Sequence, residues 1–191
     1  ITPDNLPQYG TVQNIEISPH QPGKAYIAVH RYRLDDWKPY VFTTTDYGKS
    51  WTRIADGTTG IPEDDPTWVV REDPQREGML FAGTEFGMYL SFDDGKSWQA
   101  FQQNLPVTRV PDIKVHRNDL VVATHGRSFW IMDNITPLRQ INDETADKTM
   151  TLYSPEPAYR IHPVSGGDAE DREPEGKPAG AAIDYYFSEK P

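Results

Sequence analysis

The chain has 191 residues, with 19 Lys and Arg against 29 Asp and Glu and a net charge of −10, which argues against binding nucleic acid or an anionic membrane surface. It has no cysteine, so disulfides, thiolate metal sites and cysteine nucleophiles are excluded, and its longest apolar run, Ala25 to Val29, is far too short for a membrane span. Seventeen prolines, 14 glycines, 10 tyrosines and 5 tryptophans point to short strands joined by tight turns.

The first unit reads as four strands, here A to D, at Val12 to Ile17, Ala25 to Val29, Tyr40 to Thr44 and Trp51 to Ile54. The octapeptide Thr44-Thr45-Asp46-Tyr47-Gly48-Lys49-Ser50-Trp51 joins C to D. A second copy, Ser91-Phe92-Asp93-Asp94-Gly95-Lys96-Ser97-Trp98, follows 47 residues later, and both have the form [ST]-x-D-x-G-K-S-W. The second unit accordingly places strands at Thr67 to Arg71, Leu80 to Gly83, Met88 to Ser91 and Trp98 to Phe101. Upstream, Ser18-Pro19, Gly23 and Tyr26 to Ala28 correspond to Asp73-Pro74, Gly78 and Phe81 to Gly83 at an offset of 55, so the first unit carries eight extra residues around His30 to Trp37.

A weaker third copy runs through Ile113 to Val115, Leu120 to Thr124 and Ser128 to Asp133, at an offset of 40, and has lost the Gly and the terminal Trp. Tandem four-stranded units of about 40 to 50 residues are the signature of propeller blades. The expected fold is therefore all-β, a partial ring of four-stranded antiparallel blades. Thr136-Pro137-Leu138-Arg139 suits a single helical turn with Thr as cap and Pro first.

In the C-to-D turn, the Asp46 or Asp93 carboxylate and the Thr44 or Ser91 hydroxyl can bond turn N–H groups, Gly48 or Gly95 supplies a positive φ, and Trp51 or Trp98 enters the space between sheets. Their repetition assigns these residues to structure, because a catalytic acid is needed once and a turn in every blade.

The octapeptides resemble the Asp-box, or bacterial neuraminidase repeat. Together with Arg71-Glu72-Asp73-Pro74, Gly83-Thr84-Glu85-Phe86-Gly87, Leu105-Pro106-Val107 and Ala123-Thr124-His125-Gly126-Arg127-Ser128-Phe129-Trp130-Ile131, they make residues 1 to about 140 similar to a family of large bacterial proteins described as glycosyl hydrolase or sortilin N-terminal domain-like. That resemblance implies a secreted or periplasmic propeller that binds a glycan or a peptide. The alternative it implies is a glycoside hydrolase of the oligoxyloglucanase or sialidase type, with catalytic carboxylates partly on other blades.

In Asp-box propellers the boxes lie opposite the ligand face, which is built by the B-to-C and D-to-A loops. Here that places His30, Arg31, Arg33, Asp35, Asp36, Trp37, Glu85, His125 and Arg127 as ligand-binding candidates, alongside Glu63, Asp64, Asp65 and Trp68. Asp35-Asp36 and Glu63-Asp64-Asp65 suit solvated turns. A glycosidic acid–base pair needs two groups facing each other across a bond, and a Ca²⁺ site at 63–65 lacks EF-hand spacing. His125 and Arg127 flank Gly126 and are expected to point to the pore, in either a structural or a ligand role. The three convergent arginines and the Tyr–Glu pair of a sialidase are not displayed. Neither a cofactor nor a metal is expected.

Three blades cannot close a ring, so the chain is expected to be one end of a propeller whose partners are the remaining blades, in the same or another chain. The expected organisation is blades over 1–140, a closing segment over 141–163, a linker over 164–182, and the start of a truncated β domain over 183–191.

Overall fold

The structure, a computed structural model, describes residues 2–158 and 180–188. Residues up to Met132 form one compact unit, and those from Asp133 onward form another. In the first unit, β1 (Thr11–Ile17), β2 (Ala25–Arg31), β3 (Asp36–Thr44) and β4 (Thr52–Ala55) make one antiparallel sheet in that order. A second four-stranded sheet follows with β5 (Thr67–Glu72), β6 (Leu80–Thr84), β7 (Met88–Ser91) and β8 (Gln99–Ala100). A third has three strands, β9 (Asp112–His116), β10 (Asp119–Ala123) and β11 (Phe129–Met132). The inner strands read as continuous apolar runs because both their faces are packed: β2 is buried from Tyr26 to His30 and β6 throughout.

The first two sheets share a core of Tyr26, Ala28 and Val41 from one and Val70, Leu80, Ala82 and Trp98 from the other. Trp98 fixes the contact in two ways, donating its indole N–H to the Ile54 carbonyl at 3.1 Å and its backbone N–H to Thr59 at 2.7 Å.

Both octapeptide turns carry the same hydrogen bonds. The Thr44 hydroxyl donates to Asp46 Oδ1 at 2.8 Å and accepts from Gly48 N at 3.0 Å; Ser91 does the same for Asp93 and Gly95 at 2.8 and 2.9 Å. Asp46 and Asp93 then accept from the backbone and hydroxyl of Ser50 and Ser97 at 2.9 and 2.6 Å. Two successive left-handed residues turn the chain, Tyr47 and Gly48 at φ 62° and 79°, and Asp94 and Gly95 at 64° and 80°. Asp94 also reaches the first sheet, accepting from Tyr26 Oη at 2.6 Å and Lys24 Nζ at 2.9 Å.

Strand boundaries differ from the sequence reading at the tryptophans and at the insertion. Trp51 and Trp98 precede their strands, Trp51 packing on its own sheet against Ile27, Val29, Tyr40 and Phe42 and Trp98 on the neighbouring sheet. The eight extra residues do not form a loop over His30 to Pro39: β2 runs on to Arg31, β3 starts at Asp36, and Arg31 faces Asp36 in register. Only a 3₁₀ turn, Tyr32–Leu34, and Asp35 at φ 56° join the two strands.

In the second unit, α1 (Thr136–Gln140), α2 (Asp143–Ala146), β12 (Met150–Leu152) and β13 (Tyr185–Phe187) follow. Thr136 does not cap α1. Ile135 is the N-cap, and Asn134 Oδ1 accepts the Thr136 N–H at 3.2 Å. Asn142 and Thr145 form a reciprocal capping box on α2, a helix of four residues that is too short to show periodicity. The strand near the C-terminal end, β13, pairs antiparallel with β12, with Thr151 opposite Tyr186. The closing segment beyond 158, and the linker apart from residues 180–182, lie outside the described residues.

Candidate functional site

The β2–β3, β6–β7 and β10–β11 connections lie at one end of the sheets, opposite the octapeptide turns. There the His30 ring packs on Trp68 with centroids 4.3 Å apart and on Tyr32 at 5.1 Å, and Tyr32 reaches Trp68 at 5.3 Å. The Arg109 guanidinium lies 4.3 Å over the Trp68 ring and donates twice to Glu85, at 2.8 and 2.9 Å, while Trp68 Nε1 donates to the same carboxylate at 2.9 Å. A planar cation, a carboxylate and three tilted rings thus hold one another in place across the first two sheets and the connector before the third.

His30 is 4% exposed. Its Nε2 donates to Gln13 Oε1 at 3.4 Å, and the buried Nδ1 has no partner among the described residues. Burial lowers its pKa from 6.5, reinforced by Arg33 and Arg109 and opposed by Glu85, so the imidazole is held neutral.

Beside this cluster, Arg31, Asp35, Asp36, Trp37, Lys38, Tyr40, Glu63 and Asp64 border an open cleft of about 780 Å³. Asp36 is anchored by Arg31 Nη1 at 2.7 Å and Tyr40 Oη at 2.9 Å. Trp37 is 39% exposed and donates its indole N–H to Asp35 at 3.2 Å. The run 63–65 does not converge: Glu63 pairs with Lys38 at 3.1 Å, whereas Asp65 is buried and accepts from Thr84 Oγ1 at 2.9 Å and Phe86 N at 3.2 Å. Burial raises the Asp65 pKa against these bonds. Asp65, expected from the sequence to sit in a solvated turn with Glu63 and Asp64, is therefore corrected to a buried structural role, and among the described residues no group of three His, Asp or Glu is placed to hold a metal ion.

No protein-family model matches the chain, and no curated protein matches it. Among solved structures, the GH74 enzyme of Niastella koreensis is similar at 14% identity and a TM-score of 0.51, over 64% of this chain and 21% of that one. An ancestral GH74 enzyme is 22% identical over 62% of this chain and 14% of its own, with a TM-score of 0.49. A structure described as YCF48 bound to D1 peptide is 19% identical over 65% of this chain and 37% of its own, with a TM-score of 0.45. The fold is that of successive β-propeller blades. The chain spans well under half the length of each of these propellers.

Within the propeller blades, the candidates from the sequence divide into four groups. His30 and Glu85 enter the aromatic cluster; Arg31, Asp35, Asp36 and Trp37 line the cleft; Arg33 is exposed and donates to Tyr32 Oη at 3.3 Å. His125 and Arg127 lie exposed in the β10–β11 turn, where the His125 backbone N–H is tied to the Arg109 carbonyl at 2.9 Å. Arg109 and Tyr32 were missed. Arg109 sits in a connector between blades with no motif of its own, and only its proximity to Glu85 reveals its part.

Proposed function

We propose that the protein acts as part of a secreted or periplasmic Asp-box propeller that recognises a glycan at the end carrying Trp37. The observation that carries this reading is the half-exposed Trp37 indole, fixed by Asp35 at the lip of a cleft whose remaining walls are charged. An exposed aromatic plane stacks on a sugar face, and the carboxylates and cations beside it accept from and donate to hydroxyls. Binding is favoured over catalysis because Asp36 and Glu85, two carboxylates at this end, spend both oxygens on internal partners.

A hydrolytic reading draws on Asp35, Asp36, Glu63 and Asp64 bordering one cleft from two connections, and on the likeness to the GH74 enzyme of Niastella koreensis. Titrating the protein with xyloglucan and other β-glucan oligosaccharides, beside Trp37→Ala, tests both readings. Saturable binding without turnover, lost in the variant at unchanged melting temperature, supports recognition. Turnover that disappears on replacing Asp36 or Asp64 supports hydrolysis. Binding unaffected by Trp37→Ala would reject the site.

A further inference from the structure

Among the described residues the third blade has three strands, one fewer than the first two. In the first two blades an outer strand completes the sheet, with Phe42 facing Arg53 and Leu90 facing Gln99. β11 pairs with β10, and among the described residues no strand pairs with its outer edge. An unpaired edge presents a row of backbone N–H and C=O groups that another extended chain can use.

The space beside this edge matches an element the molecule already contains. In the second blade the residue leading the outer strand is Trp98, whose ring passes between blades and donates to the Ile54 carbonyl. The residue 47 positions after Ile54 is Phe101, which borders a groove of about 270 Å³ between the second and third blades. Met88 and Leu105 line it from one side, and Leu120, Val122 and Trp130 from the other. The third unit has lost the Gly-Lys-Ser-Trp part of the octapeptide, so this blade supplies no indole of its own to the position Trp98 fills one blade earlier.

We propose that the β11 edge and this groove form a strand-acceptor site. Its ligand is an extended peptide led by an aromatic residue, which pairs with β11 as a fourth strand and sets its ring between the blades, with Phe101 O as the acceptor for an indole N–H. Main-chain pairing supplies affinity, and the groove selects the leading residue. The chain itself specifies a suitable probe, because its own segment 96–101, Lys-Ser-Trp-Gln-Ala-Phe, occupies the equivalent place in the second blade.

The test titrates the full 191-residue chain with that blocked hexapeptide, following heat by calorimetry and backbone amide shifts by NMR. The expected result is saturable binding with shifts concentrated at 129–132 and 101–105, at least about tenfold weaker for the peptide carrying Trp98→Ala and for the one carrying Gln99→Pro. Equal binding by the alanine peptide, shifts elsewhere, or no saturation at about millimolar peptide would overturn the proposal. The protein is unaltered in every arm, so a folding defect cannot imitate the outcome.

Discussion

Arg109 closes a bidentate pair on Glu85, 24 residues earlier in the chain, at 2.8 and 2.9 Å, and so ties the connector before the third blade to the β6–β7 turn of the second. The Glu85 side chain is 16% exposed, and Trp68 holds the same carboxylate. Arg109→Ala leaves a mostly buried carboxylate with one donor and should cost about 1–3 kcal/mol. Arg109→Lys keeps the charge without the fork and should recover only part of this. Urea unfolding of both variants measures the effect, and a loss below about 0.5 kcal/mol for Arg109→Ala would show the pair to be incidental.

The two octapeptide tryptophans predict different costs. Trp98 is 4% exposed between two blades, so Trp98→Ala should cost about 3–5 kcal/mol. Trp51 packs half-buried against Ile27, Val29, Tyr40 and Phe42, on a sheet face where Ile15 and Ile17 are 64% and 75% exposed. In this chain Trp51→Ala should cost less than half as much. Equal losses by thermal unfolding would contradict the packing asymmetry.

His30 predicts a pH dependence with a definite sign. Burial lowers its folded-state pKa below 6.5, so above that pH both states are neutral and the residue contributes nothing to the slope. As pH falls below 6.5, the unfolded chain takes the proton first and stability declines until the lowered folded value is reached. His30→Phe keeps a ring between Tyr32 and Trp68 and should flatten the melting-temperature slope as pH falls below 6.5. An unchanged slope would assign the pH dependence to other groups.

Gly60 and Gly126 separate backbone strain from steric conflict. Both have positive φ, 117° and 85°, but a Cβ on Gly60 would lie 2.0 Å from the Trp98 carbonyl oxygen, whereas one on Gly126 meets nothing within 4 Å. Gly126→Ala should cost about 1–2 kcal/mol from the left-handed backbone alone. Gly60→Ala should cost at least about 3 kcal/mol, because the displaced backbone carries the Trp98-to-Thr59 bond. Similar denaturant midpoints for the two variants would refute this.

Local chemistry was readable in the sequence wherever it repeats. The [ST]-x-D-x-G-K-S-W turns, the strands around them and the blade architecture follow from residues within about ten positions of one another, whose periodicity and turn preferences do not depend on distant contacts. The loop position of Glu85 was readable for the same reason. The tertiary structure alone decided that the insertion after His30 lengthens β2 and β3, that Asp65 turns inward to Thr84, that Arg109 belongs to Glu85 and Trp68, that β13 pairs with β12, and that the third blade has three strands among the described residues. The pairs Asp65–Thr84, Arg109–Glu85 and β12–β13 join partners 19 or more positions apart, and the insertion pairs Arg31 with Asp36 across a turn that no repeat or motif marks. A sequence pattern records which groups a segment offers; only folding brings the charge, ring or backbone edge that answers them within reach.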